Sequence, residues 1–218
     1  MKGTVLISNL DMNFAGKLAA VFIREGFRVF AMGDRAVEGV TLLPDKPAEA
    51  AAVLKNQAGK LDFLLDTADV QDPGDRNNIR EGINRKVVER IYRKNVLNSM
   101  ALLEAFLPLL EEGEAKRLFY LTRAGASINE TRSVSSYGYN MTKMALHQFL
   151  HMTYNKLRPK GYTFRVFDPM DTEIPAELAA ESAFNYITRR RGTENDDPTR
   201  DDENNLFFRD AQGRQHSW

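Results

Sequence analysis

A tyrosine and a lysine four residues apart are the side chains of this sequence best suited to acid–base chemistry. Tyr139 and Lys143 lie in the stretch SVSSYGYNMTKMALHQFL (133–150), whose apolar residues recur with helical spacing. Positions four apart share one face of a helix, so the Lys143 ammonium can lie near the Tyr139 phenol. A phenol has a pKa of about 10 in model peptides, and a neighbouring cation favours the phenolate. The pair is a candidate general acid and base; the alternative is that Tyr139 packs while Lys143 extends towards solvent.

Strands and helices are predicted to alternate around this pair. The predicted strands are 3–9, 27–33, 61–69, 115–123 and 162–170, with a further short strand within 206–218, and the predicted helices are 12–26, 48–59, 82–110 and 137–157. Strands that read as continuous apolar runs between helices are typical of a parallel sheet covered on both faces. The sequence therefore predicts one α/β domain over residues 1–218, built on a doubly wound parallel sheet.

The composition narrows the range of partners and environments. With 43% hydrophobic and 28% charged residues, the 218-residue chain is typical of a globular protein. Thirty basic residues balance thirty acidic ones, which argues against a nucleic-acid or anionic-membrane partner. The sequence has no cysteine, which excludes disulfides and thiolate metal sites, and it has no apolar run as long as a membrane span. We expect a cytoplasmic protein that binds small molecules or proteins.

Two further stretches are charged or carry imidazoles. Residues 188–205 contain almost no apolar side chains and are expected to form a solvated mobile loop rather than a charged contact surface. His147 and His151 have the spacing of metal ligands on a helix, but no third ligand is evident, so packing or subunit contact is favoured over a metal site.

The order of elements and three motifs together resemble the short-chain dehydrogenase/reductase family over almost the whole chain. YNMTK (139–143) matches the family's Tyr-x-x-x-Lys, Asn95 stands where the family has its active-site Asn, and KLRPKGYTFRVFDPMDT (156–172) resembles the stretch that follows the catalytic helix. The resemblance implies a Rossmann-like fold and an NAD(P) cofactor. It also implies that Lys143 holds the nicotinamide ribose and that Asn95 supports a water-linked proton relay.

The resemblance leaves the residue that polarises a substrate carbonyl open. The family uses a serine just after the strand RLFYLT, where this chain has Thr122 and Arg123 instead of the usual paired serines. Ser127 lies twelve residues before Tyr139 and is a candidate for that role. The alternative is that Ser127 is an ordinary polar loop residue.

The predicted cofactor loop departs from the family's Thr-Gly-x-x-x-Gly-x-Gly. The corresponding stretch SNLDMNFA has Ser8 in the Thr place and Asn9, Asn13 and Ala15 in the three glycine places. Those glycines let the backbone approach the pyrophosphate at a helix N-terminus. Asparagine side chains occupy that space, and Asp11 adds negative charge, so the substitutions disfavour ordinary dinucleotide binding.

Two more stretches that bind the cofactor in the family differ in this chain, and a third place, Asp34, could still contact it. The family's Asn-Asn-Ala-Gly appears as DTAD (66–69), which keeps only Ala68, and its Pro-Gly appears as Pro169 followed by Met170, with Thr172 in the turn beyond. Asp34 could accept a hydrogen bond from an adenosine ribose and would favour NAD over NADP; the alternative is that Asp34 is an exposed turn residue.

Three functions remain open on these residues. The leading hypothesis is a non-catalytic or weakly active subunit that has lost normal NAD(P) binding. The alternatives are an NAD(P)-dependent oxidoreductase that interconverts a hydroxyl and a carbonyl through Tyr139 and Lys143, and a ligand-binding or sensor protein. Apolar residues around the helices 95–110 and 139–157 predict an oligomer, either of identical chains or with an active relative.

Overall fold

A single, mostly parallel sheet forms the centre of the molecule. The computed structural model describes residues 2–10, 13–170, 172–190, 192 and 199–218. Within these residues the strands are β1 (Thr4–Ile7), β2 (Arg28–Met32), β3 (Val40–Leu43), β4 (Phe63–Asp66), β5 (Arg117–Leu121), β6 (Thr163–Asp168), β7 (Phe208–Asp210) and β8 (Gln215–His216), in the order β3-β2-β1-β4-β5-β6-β7-β8. Only β7 and β8 pair antiparallel. The predicted doubly wound α/β fold is confirmed.

Helices cover both faces of this sheet. They are α1 (Asn13–Arg24), α2 (Pro47–Ala58), α3 (Arg85–Tyr92), α4 (Asn98–Glu111), α5 (Tyr137–Leu157) and α6 (Ala176–Thr188). Helices α1 and α6 pack together over one apolar core, and α2, α4 and α5 bury the other core on the opposite face. Central strands such as β1, β4 and β5 are therefore buried on both sides, which explains their uninterrupted apolar sequences.

Three elements differ from the sequence-based expectation. Strand β3 was not predicted, because its sequence VTLL is short and most of it is half-buried or exposed. Helix α6 was not predicted as an element either, since small alanines form much of its buried face. The single helix expected over 82–110 consists of α3, a π-helical turn at Arg93–Leu97 and α4.

Buried arginines hold the described part of the charged segment 188–205 against the sheet. Arg117 on β5 and Arg165 on β6 donate hydrogen bonds to carbonyl oxygens at the end of α6, where a cation complements the helix dipole. Both guanidinium groups also pair with Glu203, and Asp202 is buried beside Arg209. The expectation of a solvated mobile loop is therefore wrong for Asp202 and Glu203, and residues 191 and 193–198 lie outside the described residues.

Candidate functional site

Helix α5 brings Tyr139 and Lys143 to the carboxyl ends of β4 and β5. Lys143 is fully buried and Tyr139 is 8% exposed. Both side chains meet the carboxylate of Asp69, three residues beyond β4: the Tyr139 hydroxyl donates to Asp69 Oδ1 at 2.6 Å, and Lys143 Nζ lies 2.8 Å from the same oxygen. The two residues singled out from sequence are thus brought together, and one carboxylate oxygen joins them.

A fourth side chain completes this group, which we call the Asp69 cluster: Asp69, Arg123, Tyr139 and Lys143. Arg123 follows β5, and its Nε donates to Asp69 Oδ2 at 3.1 Å, while an Nη2 hydrogen bond reaches the same oxygen. The same Nε lies 3.2 Å from the Tyr139 hydroxyl oxygen. Because β4 and β5 are neighbouring parallel strands, residues beyond their carboxyl ends meet at one edge of the sheet.

The electrostatics of the cluster oppose the phenolate that the sequence suggested. Burial raises the pKa of Tyr139 well above its usual value, and the charge of Asp69 raises it further. Burial alone would also raise the pKa of Asp69, but the charges of Lys143 and Arg123, with hydrogen bonds from Lys143 and Tyr139, lower it to about 2. The expectation that Lys143 would favour a phenolate at Tyr139 is therefore wrong, because Asp69 lies between them and keeps the phenol protonated.

Asn95 fixes the chain segment that carries Asp69. Its buried amide accepts a hydrogen bond from the Val70 N–H at 2.8 Å and donates to the Val70 carbonyl at 2.9 Å. The amide nitrogen also lies 3.2 Å from Thr142 Oγ1 on α5. Asn95 lies in the π-helical turn, a distortion that often occurs at functional sites. The structure places Asn95 beside the cluster, and its role in a proton relay stays a prediction.

Ser127 is not brought to the Asp69 cluster. The 3₁₀ turn Ala124–Ala126 carries the chain away after β5, and the buried Ser127 hydroxyl donates to the backbone oxygen of Trp218 at 3.2 Å. The same oxygen of Ser127 accepts hydrogen bonds from the N–H groups of Asn129 and Glu130. Arg123, which stands in the place of a family serine, belongs to the cluster, and Ser127 does not.

A cleft of about 490 Å³ lies at the carboxyl ends of β1, β2 and β4, where the order of the strands reverses; we call it the switch-point cleft. Ligands of doubly wound sheets commonly bind at this point. Four residues that the sequence assigned to cofactor binding line it: Ser8, Asn9, Asp34 and Ala68. Asn9 is held there by Thr67, whose hydroxyl accepts from the Asn9 N–H and donates to the Asn9 carbonyl.

The other predicted cofactor residues lie outside this cleft. Asn13 is exposed at the start of α1, and Pro169 is buried just beyond β6. Met170, in the place of a family glycine, has a positive φ of 52°, a conformation that costs a residue with a side chain about 1–2 kcal/mol. Thr172 is exposed and lines a second cavity, and Asp11 lies outside the described residues.

The second cavity, of about 330 Å³, opens beside the Tyr139 side chain, and we call it the Tyr139 pocket. Its described lining is rich in paired charges, among them Arg123, Asp168, Arg214 and His216. No described residue lines both this pocket and the switch-point cleft. Ala68 and Val70, the neighbours of Asp69 in the chain, line the cleft, whereas Arg123 and Tyr139, which both contact the Asp69 carboxylate, line the pocket.

The two histidines of α5 serve packing. The His147 ring nitrogen is hydrogen-bonded to Thr122, and burial together with the charge of Lys143 lowers the pKa of His147 to about 4. The rings of both His147 and His151 lie edge-on to Trp218. Within the described residues, no group of three potential ligands is arranged to hold a metal ion, and no helix is both long and apolar enough to cross a membrane.

Comparison with solved structures identifies the fold. The carbonyl reductase Sniffer of D. melanogaster matches with a TM-score of 0.82 at 12% identity, and 100% of each chain is covered. A Burkholderia multivorans protein assigned to the short-chain dehydrogenases/reductases, with bound NADP, matches with a TM-score of 0.78 at 15% identity and 100% coverage of both chains. The chain has the fold of the short-chain dehydrogenases/reductases. The resemblance inferred from the sequence is thereby confirmed at the level of the fold.

Comparison by sequence finds much less similarity than comparison by structure. The C-signal protein of Myxococcus xanthus is 28% identical over 80 residues, which are 37% of this chain and 48% of that protein. The match thus spans about half the length of the relative. No protein-family model matches the chain. A further solved structure, the NADH-dependent reductase A1-R' complexed with NAD, matches with a TM-score of 0.70 at 15% identity over 85% of this chain and 88% of its own.

Sequence reasoning missed the two residues that dominate the site of this short-chain dehydrogenase fold. Asp69 was noted only as the loss of a glycine, and Arg123 only as the loss of a serine. Their positions beyond adjacent parallel strands were the signal that could have paired them, since the carboxyl ends of β4 and β5 meet. Two departures that looked independent in the sequence form one ion pair in the structure.

Proposed function

We propose that this chain is a short-chain dehydrogenase/reductase that has lost hydride-transfer activity and works as a non-catalytic subunit or binding protein. The observation that carries the proposal is the contact of one oxygen, Asp69 Oδ1, with both the Tyr139 hydroxyl and Lys143 Nζ. Acid–base catalysis by this pair would need the phenol free to exchange its proton with a substrate.

The position of the Tyr139 proton opposes acid–base catalysis by this pair. A carbonyl substrate would have to take the proton that Tyr139 donates to Asp69. The phenolate left behind would lie, buried, within hydrogen-bonding distance of a carboxylate, and the raised pKa of Tyr139 reflects this cost. The phenol therefore remains a hydrogen-bond donor to Asp69 at neutral pH.

Lys143 has no donor left for a ligand. An ammonium group has three N–H donors. In the structure they reach Asp69 Oδ1 at 2.8 Å, the Ala68 carbonyl at 2.7 Å and the Leu121 carbonyl at 3.3 Å. A ribose held by Lys143, as the family resemblance implies, would have to displace one of these partners from a fully buried site.

The nicotinamide cofactors NAD and NADP are expected from the resemblance, and two proteins of similar fold contain them. Residues on either side of Asp69 line the switch-point cleft, while Arg123 and Tyr139 line the Tyr139 pocket. We infer that an extended dinucleotide reaching from one cavity to the other would need the Asp69 cluster to open. This supports weak or absent dinucleotide binding. The alternative, an oxidoreductase working through Tyr139 and Lys143, requires that opening.

An activity assay separates the two candidates. The full chain is mixed with NADH or NADPH and a panel of aldehydes, ketones and quinones, and cofactor oxidation is followed by absorbance. We expect no turnover above that of a Tyr139→Phe variant prepared in the same way. Turnover that falls by about 100-fold or more in both Tyr139→Phe and Lys143→Ala would establish the oxidoreductase instead.

We also propose self-association through α4 and α5, in a cytoplasmic protein. A groove of about 520 Å³ between these helices is lined mainly by apolar side chains, among them Val96, Met100, Leu103, Phe149 and Met152. Met152 is 64% exposed and adjoins this groove, so the two form a continuous apolar surface of the kind that marks interaction sites. The groove lies away from the Asp69 cluster, so it can serve identical chains or an active relative.

Light scattering tests the association. A purified chain at micromolar concentration should have at least twice the 24.7 kDa mass of one chain, and Met152→Glu should lower that mass. Ile79→Glu is the matched control, because Ile79 is also exposed, at 66%, and does not line the groove. A monodisperse 24.7 kDa species of the unmodified chain would contradict self-association.

A further inference from the structure

A cavity of about 530 Å³ lies between the carboxyl-terminal half of α6 and the turn that follows β7; we call it the arginine cavity. The charged residues of its described lining are three arginines and one aspartate: Arg189, Arg200, Arg209 and Asp210. Asp210 has partners of its own, because its Oδ2 lies 2.6 Å from Arg214 Nε and 2.9 Å from His216 Nε2. The described wall of the cavity is therefore dominated by positive charge.

Arginines behind this wall outnumber the carboxylates that pair with them in the described part of the chain. Asp202 is 2% exposed and pairs with both Arg189 and Arg209. Glu203 is shared in the same way by two further buried arginines. Burial lowers the pKa of Arg189, and the charges of three neighbouring arginines lower it further. Two carboxylates thus serve four guanidinium groups, an excess of like charge that an anion would relieve.

Asp202 uses only part of the hydrogen-bonding capacity of its two arginines. A guanidinium group has five N–H donors. Arg209 directs Nε and Nη2 to Asp202 Oδ1, at 2.9 and 2.8 Å, and Arg189 pairs through Nη2 with the other oxygen. Within the described residues, Arg189 Nε and Nη1 and Arg209 Nη1 have no hydrogen-bond partner. Both arginines can therefore bind an anion without giving up Asp202.

The turn after β7 brings Arg200 to the same cavity. Gly213 has a positive φ of 79°, and a Cβ atom at this position would lie 3.0 Å from Arg200 Nη2 and 3.2 Å from Nη1. The Arg200 guanidinium group thus lies against the Gly213 backbone, where a side chain would crowd it. The exposed amides of Asn185 and Gln212 also line the cavity and add neutral N–H donors.

We propose that the arginine cavity binds a small organic phosphate monoester, whose phosphate oxygens accept hydrogen bonds from Arg189, Arg200 and Arg209. Guanidinium groups match phosphate with paired N–H donors, and a dianion compensates more of the excess charge than a monocarboxylate does. The volume of about 530 Å³ leaves room for an organic group beside the phosphate.

This site does not depend on the state of the Asp69 cluster. None of its three arginines is among the described residues that line the switch-point cleft or the Tyr139 pocket. The proposal therefore goes beyond the proposed function and holds whether or not the chain binds NAD(P).

Calorimetric titration of the full chain with phenyl phosphate, inorganic phosphate and acetate tests the assignment, at constant ionic strength and about pH 8, where a phosphate monoester is a dianion. We expect phenyl phosphate to bind with a Kd below about 1 mM, inorganic phosphate more weakly, and acetate at least about tenfold more weakly than phenyl phosphate.

Two variants locate the site. Arg200→Gln and Arg189→Gln should each weaken phenyl phosphate binding about tenfold, as expected for loss of hydrogen bonds to a charged group. Arg80→Gln, at an exposed arginine outside the cavity, is the matched control and should leave the affinity unchanged. If Arg189→Gln were poorly folded because Asp202 loses a partner, Arg200→Gln carries the test.

The other outcomes overturn the assignment. Acetate binding as tightly as phenyl phosphate would remove the selection for a dianion, and equal affinity for the two phosphates would assign the site to free phosphate alone. Unchanged affinity in both arginine variants, or no binding of any probe, would exclude the site. Binding that is lost in Lys94→Gln and kept in Arg200→Gln would place the phosphate in the switch-point cleft, which Lys94 lines.

Discussion

Asp66 and Asp69 lie three residues apart at the end of β4, and both are almost completely buried. Donors from Tyr139, Lys143 and Arg123 reach both oxygens of Asp69. Asp66 has partners on one oxygen, and its other oxygen has none. Of these two buried carboxylates on one short segment, one has partners for both of its oxygens and the other has partners for only one.

The difference separates a carboxylate whose charge is compensated by the fold from one whose charge is compensated only in part. A buried carboxylate with a full set of charged partners is costly to remove, because its partners are left buried and unpaired. A buried carboxylate with an unpaired oxygen lowers stability in the free protein, and stability given up in this way is typical of binding sites. At the Tyr139 end of the crevice the carboxylate is therefore fully engaged by the protein, and at the switch-point end it is engaged through one oxygen.

The largest expected effect is the loss of stability in Asp69→Asn. The substitution keeps the shape of the side chain but leaves Lys143 buried without a counter-charge, so the free energy of unfolding should fall by about 3 kcal/mol. Urea denaturation followed by circular dichroism measures it. Asp34→Asn, an exposed carboxylate of the cleft, is the control and should change stability by less than about 0.5 kcal/mol. If the free energy of unfolding of Asp69→Asn fell by less than about 1 kcal/mol, the proposed difference between Asp69 and Asp66 would be contradicted.

Asp66→Asn should have a smaller effect of the opposite sign. The amide oxygen can still accept from Ser8 and Ala68, and the substitution removes a buried charge whose second oxygen has no partner. We expect the free energy of unfolding to rise by up to about 1 kcal/mol in the same denaturation experiment. A loss of more than about 2 kcal/mol would show that Asp66 is compensated in the free protein as Asp69 is.

The smallest expected effect concerns the rim of the Tyr139 pocket. His216 lies between Glu130, at 2.8 Å, and Asp210, at 2.9 Å; burial opposes its protonation, but hydrogen bonds to these carboxylates raise its pKa. A pKa raised on folding stabilises the protein below about pH 6.5, and this contribution disappears as the pH rises through the folded-state pKa.

The variant His216→Gln should therefore lower the free energy of unfolding at pH 6 by no more than about 1 kcal/mol, since solvent partly screens the group. Its effect at pH 9 should be smaller. Denaturation curves of both proteins at the two pH values measure the difference. An equal loss at both would assign His216 a packing role, consistent with its ring contact to Phe208.

The sequence could predict the frame of the site better than its chemistry. Periodic apolar residues specify α5 and the long buried strands, and the four-residue spacing correctly places Tyr139 and Lys143 on one face of a helix. Asp69 and Arg123 are 54 residues apart, and their contact depends on the neighbouring positions of β4 and β5 in the sheet. The expected phenolate failed for the same reason: spacing indicates which cation is near Tyr139, and only the fold reveals the carboxylate between them.

Ser127 and the charged segment 188–205 show a second limit. A loop of several residues follows β5, and sequence alone does not say which of its hydroxyls faces the site. Likewise, Asp202 and Glu203 look solvated in a polar stretch, yet Arg117 and Arg165 point from buried strands and pair with Glu203. Long-range charge pairing of this kind leaves no periodic pattern in the sequence.

The most direct test of the closed Asp69 cluster is a calorimetric titration of the full chain with NAD, NADH, NADP and NADPH. We predict no saturable heat for any of them up to about 1 mM, because Asp69 already engages both Lys143 and Tyr139. A Kd in the micromolar range for any of the four would contradict this account, since a bound dinucleotide requires the cluster to open.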